Sequence, residues 1–260
     1  MAPEPLTVIA CGALAREITG LIAASRLHWV TLVCLPATLH NRPERIPEAV
    51  RGAIHRLRER GAARIVVAYA DCGTGGLLDR VLAEEGVVRL EGAHCYAAYA
   101  GQQAFAAMAD TEPGTFYLTD FLVRQFDTLI IRGLGLDRHP DLRDAYFGNY
   151  TKLVHLAQAD DPALTMKAEA AARRLGLAFE RIETGLGELA TFIQRAAGGT
   201  LHGATDRPLL ARHSGPGDRE GGPPDGEAPA RATLREGDRS SGDAGRAHGH
   251  RRLSGAVAEI

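Results

Sequence analysis

The 260-residue sequence is poor in several residue types, and these scarcities argue against some classes of protein. Aromatic residues make up only 5% of the chain, and none occurs after Phe192. Lysine is nearly absent, because 28 of the 30 basic residues are arginine and only Lys152 and Lys167 are lysine. The formal net charge is -2, so we expect no broad electrostatic surface for nucleic acid.

Long apolar runs are also missing. Residues 1–30 lack the continuous apolar core of a secretory signal peptide, since Glu4, Arg16 and Glu17 interrupt the first apolar stretch. No later stretch approaches the roughly 18 apolar residues that a membrane helix needs. We therefore expect a soluble, cytoplasmic protein with no membrane partner. In that reducing compartment, the four cysteines favour metal binding or thiol chemistry over structural disulfides.

The composition changes near Gly198. From Gly199 to Ile260 the chain has 12 glycines, 5 prolines and no sustained apolar period of 2 or 3.6 residues. Such a segment buries too little apolar surface to offset the entropy of ordering it. We predict one α/β domain over residues 1–197 and a disordered tail over residues 198–260, whose composition also resembles a frame-shifted extension.

Short apolar, β-branched runs alternate with helical spacing over the first 197 residues. The predicted strands are Leu6–Cys11, Thr31–Pro36, Arg64–Ala70, Val87–Leu90, Thr115–Leu118 and Lys152–Leu156, and the predicted helices are Ala13–Ser25, Pro43–Arg60, Leu77–Glu85, Gln103–Met108 and Ala163–Leu175. This alternation favours parallel pairing through right-handed crossovers. We therefore predict an α/β fold with a doubly wound, mostly parallel, Rossmann-like sheet and a second, smaller βαβ unit from Lys152 to Glu183.

Cysteines follow three of the predicted strands by similar short offsets. Cys11 ends the first strand, Cys72 follows the third, and Cys95 follows the fourth. Ligands of open parallel sheets bind beyond the carboxyl ends of the strands. We therefore expect the three thiols to meet at a single site. Cys34 lies inside the second strand, and we interpret it as a small core residue.

Two histidines are candidates to complete a metal site with these thiols. His40 follows the second strand, and His94 directly precedes Cys95. Two or three thiolates with an imidazole match a zinc or iron site, although the chain has no CxxC pair. The predicted metal ligands are thus Cys11, Cys72, Cys95, His40 and His94. The alternative is that the cysteines are buried packing residues.

A glycine-rich turn follows Cys72 and leads into a predicted helix. Its residues Gly73, Thr74, Gly75 and Gly76 would present backbone amides to an anionic ligand at a helix start. The same position would lower the pKa of the Cys72 thiol. A tight turn that requires glycine explains the residues equally well.

Acid–base chemistry has three candidate residues and one supporting carboxylate. We assign catalytic roles to Cys72, Cys95 and Glu17, and we expect Glu17 to be exposed on the first helix. Asp120 follows the Thr115–Leu118 strand. It is interpreted either as the N-cap of a helix over Phe121–Phe126 or as a hydrogen-bond acceptor for an imidazole.

Several separated motifs resemble the prokaryotic family catalogued as domain of unknown function 1638. The motifs are Ala10–Ala15, Leu35–Asn41, Asp71–Gly76, His94–Tyr96, Pro113–Asp120 and Gly133–Asp137. The resemblance covers roughly residues 6–195 and includes all the thiol and histidine candidates. It implies a soluble α/β protein of unassigned activity, with relatives that accompany corrinoid-dependent methyl-transfer systems and hence a corrinoid protein as a partner.

Three functions are compatible with these residues. The first is a metal-thiolate protein that uses zinc or iron. The second is a metal-free enzyme with two cysteines as acid and base, in the manner of amino-acid racemases, which requires the sulfurs on opposite faces of a small-molecule substrate. The third is a non-catalytic accessory or binding subunit that docks through the loop Gly133–Tyr150.

Overall fold

The strands form two parallel sheets that share a layered α/β architecture. The computed structural model describes residues 3–201 and 257–259. Its strands are β1 (Leu6–Cys11), β2 (Val30–Leu35), β3 (Arg64–Ala68), β4 (Val88–Arg89), β5 (Thr115–Thr119), β6 (Lys152–Ala157), β7 (Ala178–Glu183) and β8 (Val257–Glu259). Its α-helices are α1 (Ala15–Ala24), α2 (Ile46–Glu59), α3 (Leu77–Glu85), α4 (Cys95–Ala100), α5 (Gln102–Thr111), α6 (Asp120–Arg124), α7 (Leu142–Phe147), α8 (Pro162–Leu175) and α9 (Gly187–Ala197).

The first sheet has the order β4-β3-β1-β2-β8, and its pairs are parallel. Alternate residues of β1 enter two different cores, because successive side chains of a strand point to opposite faces. Val8 packs with Ile18 of α1 and Ile193 of α9, whereas Ile9 packs with Ile54 of α2. Helices thus cover both faces, and the predicted doubly wound α/β fold is confirmed.

The second sheet has the order β5-β6-β7 and is also parallel. Leu118 and Leu153 pack with residues of α6 and α8 on one of its faces. The predicted smaller βαβ unit, β6-α8-β7, is therefore confirmed, and β5 joins it as a third strand. A π-helical segment, Phe126–Arg132, follows α6 and buries Leu129 and Ile130 in the same core.

Helix α9 returns the chain from the second sheet to the first. Its buried residues Leu189, Phe192, Ile193, Ala196 and Ala197 recur at helical spacing, which gives one apolar face. That face packs beside α4 and α1. The helix is absent from the sequence prediction, although this periodicity was there to be found.

The predicted tail lies mostly outside the described residues. Of residues 198–260, the structure describes 198–201 and the short strand β8, which pairs with β2. Among the residues that it describes, no helix has both the length and the apolar content to cross a membrane. The predicted cytoplasmic location stays a prediction.

Gly187 is expected to be required at the start of α9, whereas Gly20 in α1 is not. Gly187 has a positive φ of 46°, and a Cβ atom there would overlap the backbone oxygen of Tyr99. Gly187→Ala should lower the free energy of unfolding by about 2 to 4 kcal/mol, measured by urea denaturation.

The matched control is Gly20→Ala, because nothing lies within 4 Å of a Cβ atom at that position. It should raise the free energy of unfolding by about 0.5 to 1 kcal/mol, since alanine is the better helix former. Equal effects of the two substitutions would contradict this account of the α9 start.

Candidate functional site

The three predicted thiols lie at the carboxyl end of the first sheet. Cys11 is the last residue of β1, Cys72 lies in the turn between β3 and α3, and Cys95 is the first residue of α4. Backbone hydrogen bonds join the two turns, because Cys72 N donates to Ala93 O at 2.7 Å and Asp71 N donates to Gly92 O at 2.9 Å. The turn that carries Cys72 is therefore fixed against the segment that leads into Cys95.

The Cys72 and Cys95 side chains lie close enough to interact, and the pKa values of the two thiols are shifted in opposite directions. The hydrogen bond from Cys95 is the main cause that lowers the pKa of the Cys72 thiol, and the charge of Arg89 acts in the same direction. The same hydrogen bond, together with burial, raises the pKa of Cys95 well above its usual range. Cys72 therefore loses its proton before Cys95 does.

Cys11 lies close enough to the pair for their charges to interact. Burial, with a smaller contribution from the neighbouring Cys72, raises the pKa of the Cys11 thiol to about 11. Tyr69 is 2% exposed on the same side, and its pKa is raised by burial first and by Cys11 second. The structure thus brings together the three thiols that the sequence singled out.

The two predicted histidine ligands lie at the exposed rim of this region. The pKa of His40 is lowered by burial first and then by His94, so the two rings are electrostatic neighbours. Among the residues that the structure describes, no group of three or more His, Cys, Asp or Glu side chains has the geometry to hold a metal ion. The zinc or iron site at Cys11, Cys72, Cys95, His40 and His94 stays a prediction.

The glycine-rich turn after Cys72 folds around a carboxylate of its own. Asp71 accepts hydrogen bonds from Thr74 Oγ1 at 2.6 Å, Gly76 N at 2.9 Å and Gly75 N at 3.1 Å. Burial opposes ionisation of Asp71, but these hydrogen bonds outweigh it and lower the pKa of the carboxyl. The predicted anion site at Gly73, Thr74, Gly75 and Gly76 stays a prediction, and an external anion would compete there with Asp71.

A second polar cluster lies at the carboxyl end of the other sheet. His155 Nε2 and Asp120 Oδ1 are 2.9 Å apart, and each side chain is 1% exposed. Asp120 Oδ1 also accepts from Gln158 N at 3.3 Å, and Asp120 N donates to Gln158 Oε1 at 2.8 Å. His155 Nδ1 is buried and has no hydrogen-bond partner among the described residues.

The sequence prediction was partly correct for Asp120 and missed His155. The role of acceptor for an imidazole is confirmed, whereas the role of helix cap is wrong. Thr119 is the N-cap of α6, because its hydroxyl accepts from Leu122 N at 3.4 Å. A histidine within the apolar strand Lys152–Ala157 was the available signal, because a buried polar side chain needs a partner.

Glu17 belongs to this second cluster, and its predicted exposure is wrong. Its side chain is only 6% exposed, because α1 turns it towards Arg124 of α6, 3.8 Å away. Burial is the main cause that raises the pKa of Glu17, and Asp120 contributes in the same direction. Glu17 Oε2 has no hydrogen-bond partner among the residues that the structure describes.

Tyr99 of α4 stands between the thiols and the second cluster. The residue is 2% exposed, and burial raises its pKa first. The pKa is also raised by groups of both clusters, namely Glu17, Cys95, Cys11 and Asp120. Tyr99 is therefore an electrostatic neighbour of both clusters.

Comparison with known proteins identifies a family without an assigned activity. A family model described as "Protein of unknown function (DUF1638)" matches residues 34–193. No curated protein and no solved structure matches the chain.

Glu17→Gln should make the protein progressively more stable than the wild type as the pH rises. A raised pKa in the folded state means that Glu17 favours folding fully only below its unfolded pKa, near 4.5. This contribution is lost as the pH rises through the raised value. Urea denaturation between pH 4 and pH 8 measures the difference.

Glu59→Gln is the control, because Glu59 is exposed at the end of α2. It should show no such pH-dependent gain. A stability difference for Glu17→Gln that stays constant over the whole pH range would contradict the burial cost assigned to Glu17.

Proposed function

The chain belongs to the family Protein of unknown function (DUF1638), and we propose that it is a thiol-dependent enzyme that transfers a group through the Cys72 sulfur. One observation carries the proposal: a backbone hydrogen bond of 2.7 Å holds Cys72 against the segment before Cys95, and the pKa values of the two thiols are shifted in opposite directions. The thiolate is the nucleophilic form of cysteine, so lowering the pKa of one thiol beside a protonated partner activates it.

The pair supplies a nucleophile, Cys72, and an acid, Cys95, for one substitution step. The Cys72 sulfur forms a bond to an electrophilic carbon of the substrate, and the bond from that carbon to its leaving group breaks. The leaving group departs with the bonding electrons and takes the proton of Cys95. Cys95 is then a thiolate. A protonated acceptor nucleophile next forms a bond to the transferred carbon, the bond from that carbon to the Cys72 sulfur breaks with its electrons left on sulfur, and the proton of the acceptor passes to Cys95, which restores the resting pair.

Contact between the two sulfurs favours this step over the two-cysteine racemase. Acid–base catalysis by opposed thiols needs a gap wide enough for a substrate between them. Cys72 and Cys95 instead lie within hydrogen-bonding reach of each other. Group transfer includes methyl transfer, so the predicted link to a corrinoid protein stays open as a prediction.

The backbone at Cys72 also supports a functional role. Its φ is 51°, a left-handed conformation that is uncommon outside glycine. Such strain persists where the surrounding structure fixes it, and it clusters at active sites. Here the hydrogen bonds of Asp71 and Ala93 fix it.

Cys72 should be alkylated by iodoacetamide at a lower pH than Cys11 or Cys34. Peptide mass spectrometry after timed reaction between pH 5 and pH 10 measures the rate at each thiol. Cys95→Ala should slow alkylation of Cys72 at pH 7 by about fivefold, which corresponds to the loss of a hydrogen bond worth roughly 1 kcal/mol.

Cys34→Ala is the matched control, because Cys34 is buried in β2. It should leave the pH profile of Cys72 unchanged. A profile for Cys72 that coincides with that of an unperturbed thiol near pH 8.5, or one that Cys95→Ala does not alter, would overturn the proposed function.

Zinc or iron binding is the second candidate function, and convergence of the three thiols favours it. The pKa of each of these thiols is shifted by at least one of the other two. A metal ion would relieve the repulsion among their deprotonated forms. The described side chains would have to move to reach metal-binding geometry.

Metal analysis of protein purified without an affinity tag tests this candidate. One equivalent of zinc or iron per chain, lost in Cys72→Ala and retained in Cys34→Ala, is the expected result for a metal-thiolate site. Substoichiometric metal that Cys72→Ala leaves unchanged would exclude it.

The loop Gly133–Tyr150 gives less support to the accessory-subunit hypothesis than the thiols give to the first two functions. Of its aromatic residues, Phe147 and Tyr150 pack against Phe116 with ring centroids 5.1 and 5.6 Å away. Tyr146 is 47% exposed and is the aromatic residue of this loop that a partner would reach.

A further inference from the structure

Arg124 has hydrogen-bonding capacity that the described residues leave unused. Its guanidinium lies 3.8 Å from Glu17 Oε1 and 3.6 Å from Asp120 Oδ2, which is too far for hydrogen bonds of ordinary strength. The side chain is 22% exposed, so most of it is withdrawn from solvent while part remains accessible. A guanidinium carries five N–H donors in a planar fork, and buried donors in proteins are normally satisfied.

Glu17 supplies a second unused polar group at the same place. Its side chain is 94% buried, since 6% remains exposed, and its Oε2 atom has no partner among the described residues. A protonated carboxyl offers an O–H donor to an oxygen anion. The pair therefore presents a forked cationic donor beside a carboxyl group, which adds an O–H donor when it holds a proton.

Two observations connect Arg124 and Glu17 with the thiols. Helix α6 packs against the turn Gly12–Leu14, which directly follows Cys11. Tyr99 is influenced by Glu17 on one side and by Cys95 and Cys11 on the other. The helix that carries Arg124 therefore packs on the turn that directly follows Cys11.

We propose that Arg124 and Glu17 form a binding subsite for a carboxylate group, and that this group belongs to the substrate whose reacting carbon meets Cys72. The second half of this statement rests on the proposed function, whereas the subsite itself does not. Arginine binds carboxylates through two parallel N–H···O hydrogen bonds, and Glu17 adds a third donor when the carboxylate binds together with a proton.

The surrounding charges select a monoanion over a dianion. Asp120 is buried next to Arg124 at 3.6 Å, and His155 is the other basic group that contacts this carboxylate. One cationic guanidinium beside a buried acid leaves little positive charge for a ligand with two negative charges, which would also meet repulsion in a poorly hydrated place. The subsite therefore fits a carboxylate better than a phosphate.

Thermal unfolding with small anions tests the subsite directly. Acetate, propionate, butyrate and inorganic phosphate are titrated at constant ionic strength against the full chain, and the midpoint of unfolding is measured. A ligand that binds only the folded state raises this midpoint saturably. We expect carboxylates to do so in the wild type and in Cys72→Ala, with at least tenfold weaker apparent affinity in Arg124→Gln.

Two further variants keep the test decisive. Arg124→Lys keeps the charge but loses the fork, so it should fold even if Arg124→Gln does not and should bind carboxylates more weakly than the wild type. Arg173→Gln is the matched control, because Arg173 forms an exposed pair with Glu169 on α8, and it should bind like the wild type.

Three outcomes would overturn the inference. They are the absence of a saturable shift with any carboxylate in the wild type, an unchanged shift in both Arg124 variants, and a larger shift with phosphate than with carboxylates. The substrate assignment has its own readout, because bound butyrate should slow alkylation of Cys72 at least threefold. Failure of the proposed function would instead appear as an unreactive Cys72, with the carboxylate shift in Cys72→Ala intact.

Discussion

The hydrogen bonds that Asp71 accepts within its own turn determine where the reactive sulfur lies. Thr74, Gly75 and Gly76 all donate to this carboxylate, and Cys72 adopts a left-handed conformation in the same turn. That conformation costs about 1 to 2 kcal/mol, which hydrogen bonds to an ionised group outweigh. The turn therefore aims Cys72 at Cys95, and the acidity of both thiols follows from this contact.

Burial of Asp120 imposes a comparable requirement on the second sheet. A carboxylate that is 1% exposed is tolerated only with several partners, and it has His155, Gln158 and Arg124 around it. These residues come from β6, the segment after β6, and α6, so the carboxylate ties together the elements that end at the site. Because Asp120 lies 3.6 Å from Arg124, it balances part of the positive charge of the guanidinium. This limits the anions that Arg124 can bind.

Sequence patterns predicted the strands and the convergence of thiols because both depend on local periodicity and strand order. Cys11, Cys72 and Cys95 each follow a parallel strand, and parallel strands end at one edge. The exposure of Glu17 was predicted wrongly, because its burial depends on α6, which comes about a hundred residues later. His155 and Arg124 were missed for the same reason, since their roles exist only once the two sheets are placed together.

In the proposed reaction, groups from both parts of the fold act together. The first sheet positions the Cys72 sulfur beside Cys95, and the guanidinium of Arg124 on α6 lies 3.8 Å from the Glu17 carboxyl on α1. A thiolate and a carboxylate substrate repel each other, so a nucleophile alone would exclude such a substrate. In the proposed subsite the charge of Arg124 offsets this repulsion, and burial, which raises the pKa of Glu17, disfavours a further negative charge beside it.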